Sequence, residues 1–98
     1  MKNGLVVDRY GTQQWYVRGQ RHRTDGPAYI YADGRQVWYV RGQRHRTDGP
    51  AYIGANGTQE WYVNGENITE EVNTWIDKNA ITYPFDEDTA VLFCLTYV

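Results

Sequence analysis

Two triplets of the same chemistry, Arg21-His22-Arg23 and Arg44-His45-Arg46, stand 23 residues apart and hold the only two histidines of this 98-residue chain. Arg18 and Arg41 precede them at matching offsets, and Tyr16 and Tyr39 precede those. Guanidinium groups in parallel rows, with aromatic rings between, can grip an acidic protein surface. They can also track a phosphate backbone while the rings stack bases. The same arginines can instead pair inside the chain with Asp25, Asp48 and the acidic C-terminal part, in which case they are structural. A metal site needs three or four ligands, and only Cys94 is left to join His22 and His45. Each histidine is therefore read as packing beside an aromatic ring or bonding to Asp25 or Asp48 across its loop. No metal or other cofactor is expected.

Catalytic chemistry finds little to work with. The chain has no serine. Cys94 lies in an apolar run, where a thiol is an inert core residue. Thr24 and Thr47 precede Asp-Gly, which is turn chemistry. Asp86, Glu87 and Asp88 are adjacent and cannot flank one scissile bond as paired acids do. The expectation is a non-enzymatic binding protein, with an acidic protein as partner and nucleic acid as the alternative.

Charge bears on that choice. Residues 1–53 hold Lys2 and all eight arginines against four aspartates, a net +5, whereas residues 54–98 hold Lys78 against eight acids, a net −7. The sequence pI is about 5.6, whereas a dedicated nucleic-acid-binding domain usually exceeds about 9. The acidic tail is read as a solvated helix face, with mimicry of nucleic acid as its alternative. No apolar run approaches the roughly 18 residues of a membrane span, no signal peptide is read at the N-terminus, and a single cysteine allows no internal disulfide, so a cytoplasmic protein is expected.

The elements that must position these residues repeat. Trp15 to Ile30 recurs unchanged as Trp38 to Ile53, and a fading third copy opens at Trp61-Tyr62-Val63-Asn64-Gly65. A fixed period of this size marks units too small to bury a core alone. Each unit carries an apolar run, a turn signal at Tyr10-Gly11, Asp33-Gly34 or Asn56-Gly57, the Trp-Tyr-Val strand, a second turn at Arg18-Gly19, Arg41-Gly42 or Asn64-Gly65, and in the first two copies Thr-Asp-Gly-Pro. The Asp-Gly and Asn-Gly connectors suggest tight primed turns with positive φ. Alternation along the strand puts Trp15 and Val17 on one face and Tyr16 on the other. Stacked copies should form one ladder of Trp15, Trp38 and Trp61, which is the drier face, and another of Tyr16, Tyr39 and Tyr62.

The 23-residue period, the W-Y-V-x-G core and the H-R-T-D-G-P-A segment resemble the variant form of the MORN repeat over about residues 4–66. Trp15/Trp38/Trp61, Gly19/Gly42/Gly65 and the two Asp-Gly-Pro segments carry the likeness. The resemblance implies β-hairpin units in single file and a role in protein interaction. N-I-T-E-E-V-x-x-W-I followed by Y-P-F-D-E-D-T also resembles the tail of small bacteriophage proteins of this repeat type. It implies an accessory protein that binds and inhibits a host protein, such as a defence factor.

The fold class expected is mainly β with an α cap: an antiparallel hairpin meander over residues 4–66 and a helical cap over 67–98, in one domain. Asn67-Ile68-Thr69-Glu70 reads as a capping box with Asn67 as the cap. Ile68, Val72, Trp75 and Ile76 then keep helical spacing. Pro84 to Asp88 opens a second helix. Its body is ambiguous, because Val91, Phe93, Leu95 and Tyr97 alternate as in a strand. The helices are expected to cover one sheet face, leaving open which. The exposed edge near residues 5–8 could pair with a second copy.

Overall fold

The computed structural model describes residues 2–98. Eleven strands precede two helices: β1 (Gly4–Val7), β2 (Gln13–Val17), β3 (Gln20–Arg21), β4 (Tyr29–Ile30), β5 (Gln36–Val37), β6 (Tyr39–Val40), β7 (Gln43–Arg44), β8 (Tyr52–Ile53), β9 (Gln59–Glu60), β10 (Tyr62–Val63), β11 (Glu66–Asn67), α1 (Thr69–Lys78) and α2 (Glu87–Tyr97). This is a β-hairpin meander closed by two helices.

One antiparallel sheet runs β1-β2-β4-β5-β8-β9, with β3 added on β2. The pairs β6·β7 and β10·β11 form separate two-stranded ribbons. The tryptophan is the point where a strand passes from meander to ribbon. The Trp38 amide donates to the Ala51 carbonyl at 2.7 Å, while its carbonyl accepts from the His45 amide at 3.1 Å. Trp15 makes the same two bonds, to Ala28 and from His22. At the third copy no further unit exists, and the Trp61 amide donates to Thr69 Oγ1 at 2.9 Å instead. The start of α1 thus supplies the acceptor that a fourth unit would have offered.

Turn chemistry differs from the sequence expectation. The meander loops are not primed. Gly11, Gly34 and Gly57 donate to the carbonyls three residues back, and each of these glycines has positive φ while Tyr10, Asp33 and Asn56 do not. That is a turn followed by a left-handed glycine. The primed turns lie at Arg18-Gly19, Arg41-Gly42 and Asn64-Gly65, where both residues have positive φ, from 51° to 84°. A two-residue ribbon turn needs that twist; the longer meander loops do not.

The core is lopsided. Trp61, Val72 and Phe93 form its buried cluster, with Ile68, Trp75, Ile76, Tyr83, Phe85, Cys94 and Tyr97 packed around them. Trp61 is 2% exposed, whereas Trp15 and Trp38 are half-buried. The tryptophan row is therefore dry only where the cap covers it. Within each unit the dry positions are instead Ala28, Val37 and Ala51. Residues 90–97 are helical, which settles the ambiguity of that segment: Phe93 is buried and Tyr97, one turn on, packs beside it, while Val91, Leu92 and Leu95 stay exposed. Asp86 caps α2 by accepting from the Thr89 amide at 2.8 Å, which holds its carboxyl below the usual carboxylate range. The cap of α1 is Ile68 rather than Asn67, although the Asn67 side chain accepts from the Thr69 amide at 3.0 Å. No helix is long and apolar enough to cross a membrane among the described residues. β1 is an outermost strand, with Leu5, Val6 and Val7 all exposed.

Candidate functional site

The predicted site residues separate into three structural roles. Tyr16 and Arg21 are opposite partners in β2·β3, Tyr39 and Arg44 in β6·β7, and Tyr62 and Asn67 in β10·β11. The second strand of each ribbon therefore lies between one tyrosine and the next. No bare tyrosine ladder forms; guanidinium groups interleave it. Arg21 lies 5.5 Å from the Tyr39 ring and 4.6 Å from the Tyr29 ring. Arg44 lies 5.2 Å from Tyr62 and 5.6 Å from Tyr52, and Lys2 ends the row 5.1 Å from Tyr16. Polar bonds fix the planes: Arg21 Nε donates to Gln14 Oε1 at 3.1 Å, and Arg44 donates to the Tyr62 hydroxyl at 3.2 Å. Hydrogen bonding to Tyr39 and Tyr62 pushes the Arg44 pKa up. Such stacked cations are each worth about 0.5–1 kcal/mol at exposed sites.

Arg23 and Arg46 belong to the opposite, tryptophan-bearing face. Their guanidinium groups lie 4.0 Å from Trp15 and 3.9 Å from Trp38. Trp15, Trp38 and Trp61 thus do not stack on one another; an arginine covers each of the first two. Arg23 also pairs with Asp25 at 2.9 Å and donates to the Pro27 carbonyl, and Arg46 pairs with Asp48 at 2.7 Å and donates to the Pro50 carbonyl. The Arg23 bond holds the Asp25 carboxyl below its usual range. Both arginines have every reason to stay where they are.

The histidines join units. His22 Nδ1 accepts from the Arg41 amide at 3.0 Å, and His45 Nδ1 accepts from the Asn64 amide at 2.9 Å. Neither bonds to Asp25 or Asp48, as the sequence had suggested. The main chain beside each histidine completes the joint: the Arg21 and Arg44 carbonyls accept from Gly42 and Gly65. At the N-terminal end, Asn3 Oδ1 accepts from the Arg18 amide at 2.7 Å and the Lys2 carbonyl from Gly19. Lys2-Asn3 thus does for the first turn what Arg-His does for the others. No signal in the sequence marked Asn3 for this role, because its spacing from Arg18 differs from that of His22 to Arg41.

Of the predicted site residues, Arg18 and Arg41 are the exposed ones, at the turn tips. Among the described residues no group of three or more His, Cys, Asp or Glu could hold a metal. Sequence reasoning also missed a groove of about 590 Å³ on the tryptophan face. It is lined by Trp38 and Val40, by the loop segment from Arg23 to Gly26 and by its counterpart from His45 to Asp48. Compared with known proteins, the chain matches no family model, no curated protein and no solved structure.

Proposed function

We propose that this chain is a non-enzymatic protein-binding module whose partner carries an acidic surface. The observation that supports it is the interleaved Tyr–Arg row: Tyr16, Arg21, Tyr39, Arg44 and Tyr62 held on one face by cross-strand register and ring–cation contact. Tyrosine and arginine dominate binding hot spots, and side chains already fixed in place lose little entropy on association. The displayed Arg18 and Arg41 add charge at the rim, which steers encounter with an acidic partner. The likeness of the tail to small bacteriophage proteins adds a host protein as partner and inhibition as outcome.

Arg18→Asn with Arg41→Asn tests this without disturbing the fold, because Asn64 holds the same left-handed turn position in the third copy. The double variant should capture its partner from host lysate at least about tenfold more weakly, as loss of two interface charges implies. Equal capture by variant and parent would remove the rim arginines, and with them the acidic character of the partner, from the proposal. The same row of rings and cations would suit single-stranded nucleic acid. An oligonucleotide shift that weakens steeply with salt would favour that second reading over a protein partner.

A further inference from the structure

The cap shows what a repeat groove holds when it is filled. Around Trp61, three rings of the chain itself are seated: Phe85 stacked at 5.5 Å and 22°, Tyr83 edge-on at 5.6 Å and 84°, and Phe93 tilted at 5.3 Å. Two of these positions have counterparts one unit earlier. Thr69 stands where Arg46 would in the repeat, so Phe85 takes the place over Trp61 that the Arg46 guanidinium takes over Trp38. Tyr83 sits on the loop glycine, so close that a Cβ on Gly49 would collide with its hydroxyl. The equivalent glycine of the first loop is Gly26. The atoms nearest to where its Cβ would stand belong to Arg23 and not to a tyrosine, and it lines the open groove beside Trp38.

The Trp38 groove therefore has its planar cover in place and lacks the edge-on tyrosine. We infer that it docks a tyrosine from an acidic segment of a partner polypeptide, ring edge-on to Trp38 and hydroxyl over Gly26, as Tyr83 sits against Trp61 and Gly49. The chemistry of the occupant follows from two observations. The segment that fills the equivalent seat is Tyr83-Pro84-Phe85-Asp86-Glu87-Asp88, aromatic and acidic. The groove's own charges cancel, Arg23 and Arg46 being paired with Asp25 and Asp48, but it lies in the half of the chain with net charge +5, whose wider field draws an acidic segment. The inference rests on the chain being a protein-binding module, but it uses the face opposite the Tyr–Arg row.

The test titrates the intact protein with a synthetic peptide copying Thr82 to Thr89, followed by the NMR signals of the Trp38 indole and the Gly26 amide. Both should move saturably. The movement should weaken at least about tenfold for the peptide with alanine in place of its tyrosine, as loss of a single aromatic anchor implies. Gly26→Leu should block the seat to a similar degree; the atoms nearest to its new Cβ belong to the Arg23 guanidinium, which must shift by a few tenths of an ångström. Should that variant not fold, the alanine peptide on the unaltered protein still decides. No saturation by about 1 mM peptide would overturn the inference, that being the weak end of measurable affinity. So would shifts confined to Trp61 and Phe93, which would mean that the peptide only displaces the chain's own cap. Shifts of Trp38 and Gly26 that track protein concentration without peptide would assign the seat to a second copy and overturn the partner segment. Arg18→Asn with Arg41→Asn lowers the positive field of this half but touches nothing in the groove, so it should weaken peptide binding far less than loss of the peptide's tyrosine does. If that variant loses partner capture while the peptide leaves Trp38 unmoved, the module stands and the groove falls.

Discussion

His45 accepts the Asn64 amide through Nδ1, which only a ring unprotonated at that nitrogen can do. Burial also lowers its pKa from the ordinary 6.5. As pH falls, the unfolded chain takes up this proton before the folded one. The stability due to neutral His45 is therefore complete above pH 6.5 and is lost as pH falls from there through the folded value. The urea midpoint should decline accordingly between about pH 7 and pH 5. His45→Asn keeps an acceptor, as Asn3 does for Arg18, and should flatten the decline while holding stability at neutral pH. His45→Ala should flatten it too, but at a cost of about 1 kcal/mol for the lost hydrogen bond. A His45→Asn variant with the parent's pH slope would place the titration elsewhere. The Arg-His-Arg triplets stood out in the sequence, yet their role did not. A ring nitrogen bonded to a turn amide 19 residues away has no local signature.

The strands and turns were largely legible, because glycine and apolar punctuation recur at a fixed period. What could not be read was which side chains meet across units. The ribbon's second strand, Gln20–Arg21 or Gln43–Arg44, lies between consecutive tyrosines, and only the register shows that arginines fill the gap. α2 was ambiguous for another reason: it is apolar nearly all round, so no helical stripe stood out against the alternation. Its inward residues gather around Trp61 at the end of the array, and that asymmetry sets the energetics of the tryptophans. Trp61→Ala empties a fully enclosed site and should cost about 3–5 kcal/mol. Trp38→Ala removes a half-buried ring that no cap encloses, and should cost less. Urea unfolding of the two variants checks the order. Equal losses would mean that the cap contributes no more to the third unit than the Arg46 guanidinium does to the second.

At the scale of the whole molecule, each unit is bonded to the next by the same recurring set of contacts, strand pairing among them. Arg21-His22 holds the Arg41-Gly42 turn, Arg44-His45 holds the Asn64-Gly65 turn, and the Trp amides reach forward to Ala28 and Ala51. Lys2-Asn3 and Thr69 close the two ends with side chains of other kinds doing the same work. Stability in such an array is close to a sum of unit terms and nearest-neighbour terms. Because Trp15 to Ile30 and Trp38 to Ile53 are identical, a duplicated 23-residue stretch inserted between them meets the same joint on both sides. The lengthened chain should fold, with a urea m-value raised roughly in proportion to the added surface and a higher midpoint. It should also carry one more Tyr–Arg pair and a second open groove of the Trp38 kind. Deleting one such stretch should leave a single copy between the N-terminal cap and the capped third unit and lower the midpoint without abolishing the transition. If the insertion instead unfolds in two separate steps, the helical cap and the array are coupled less tightly than neighbouring units are. In that case the dry cluster around Trp61 would be an independent core rather than the anchor of the array.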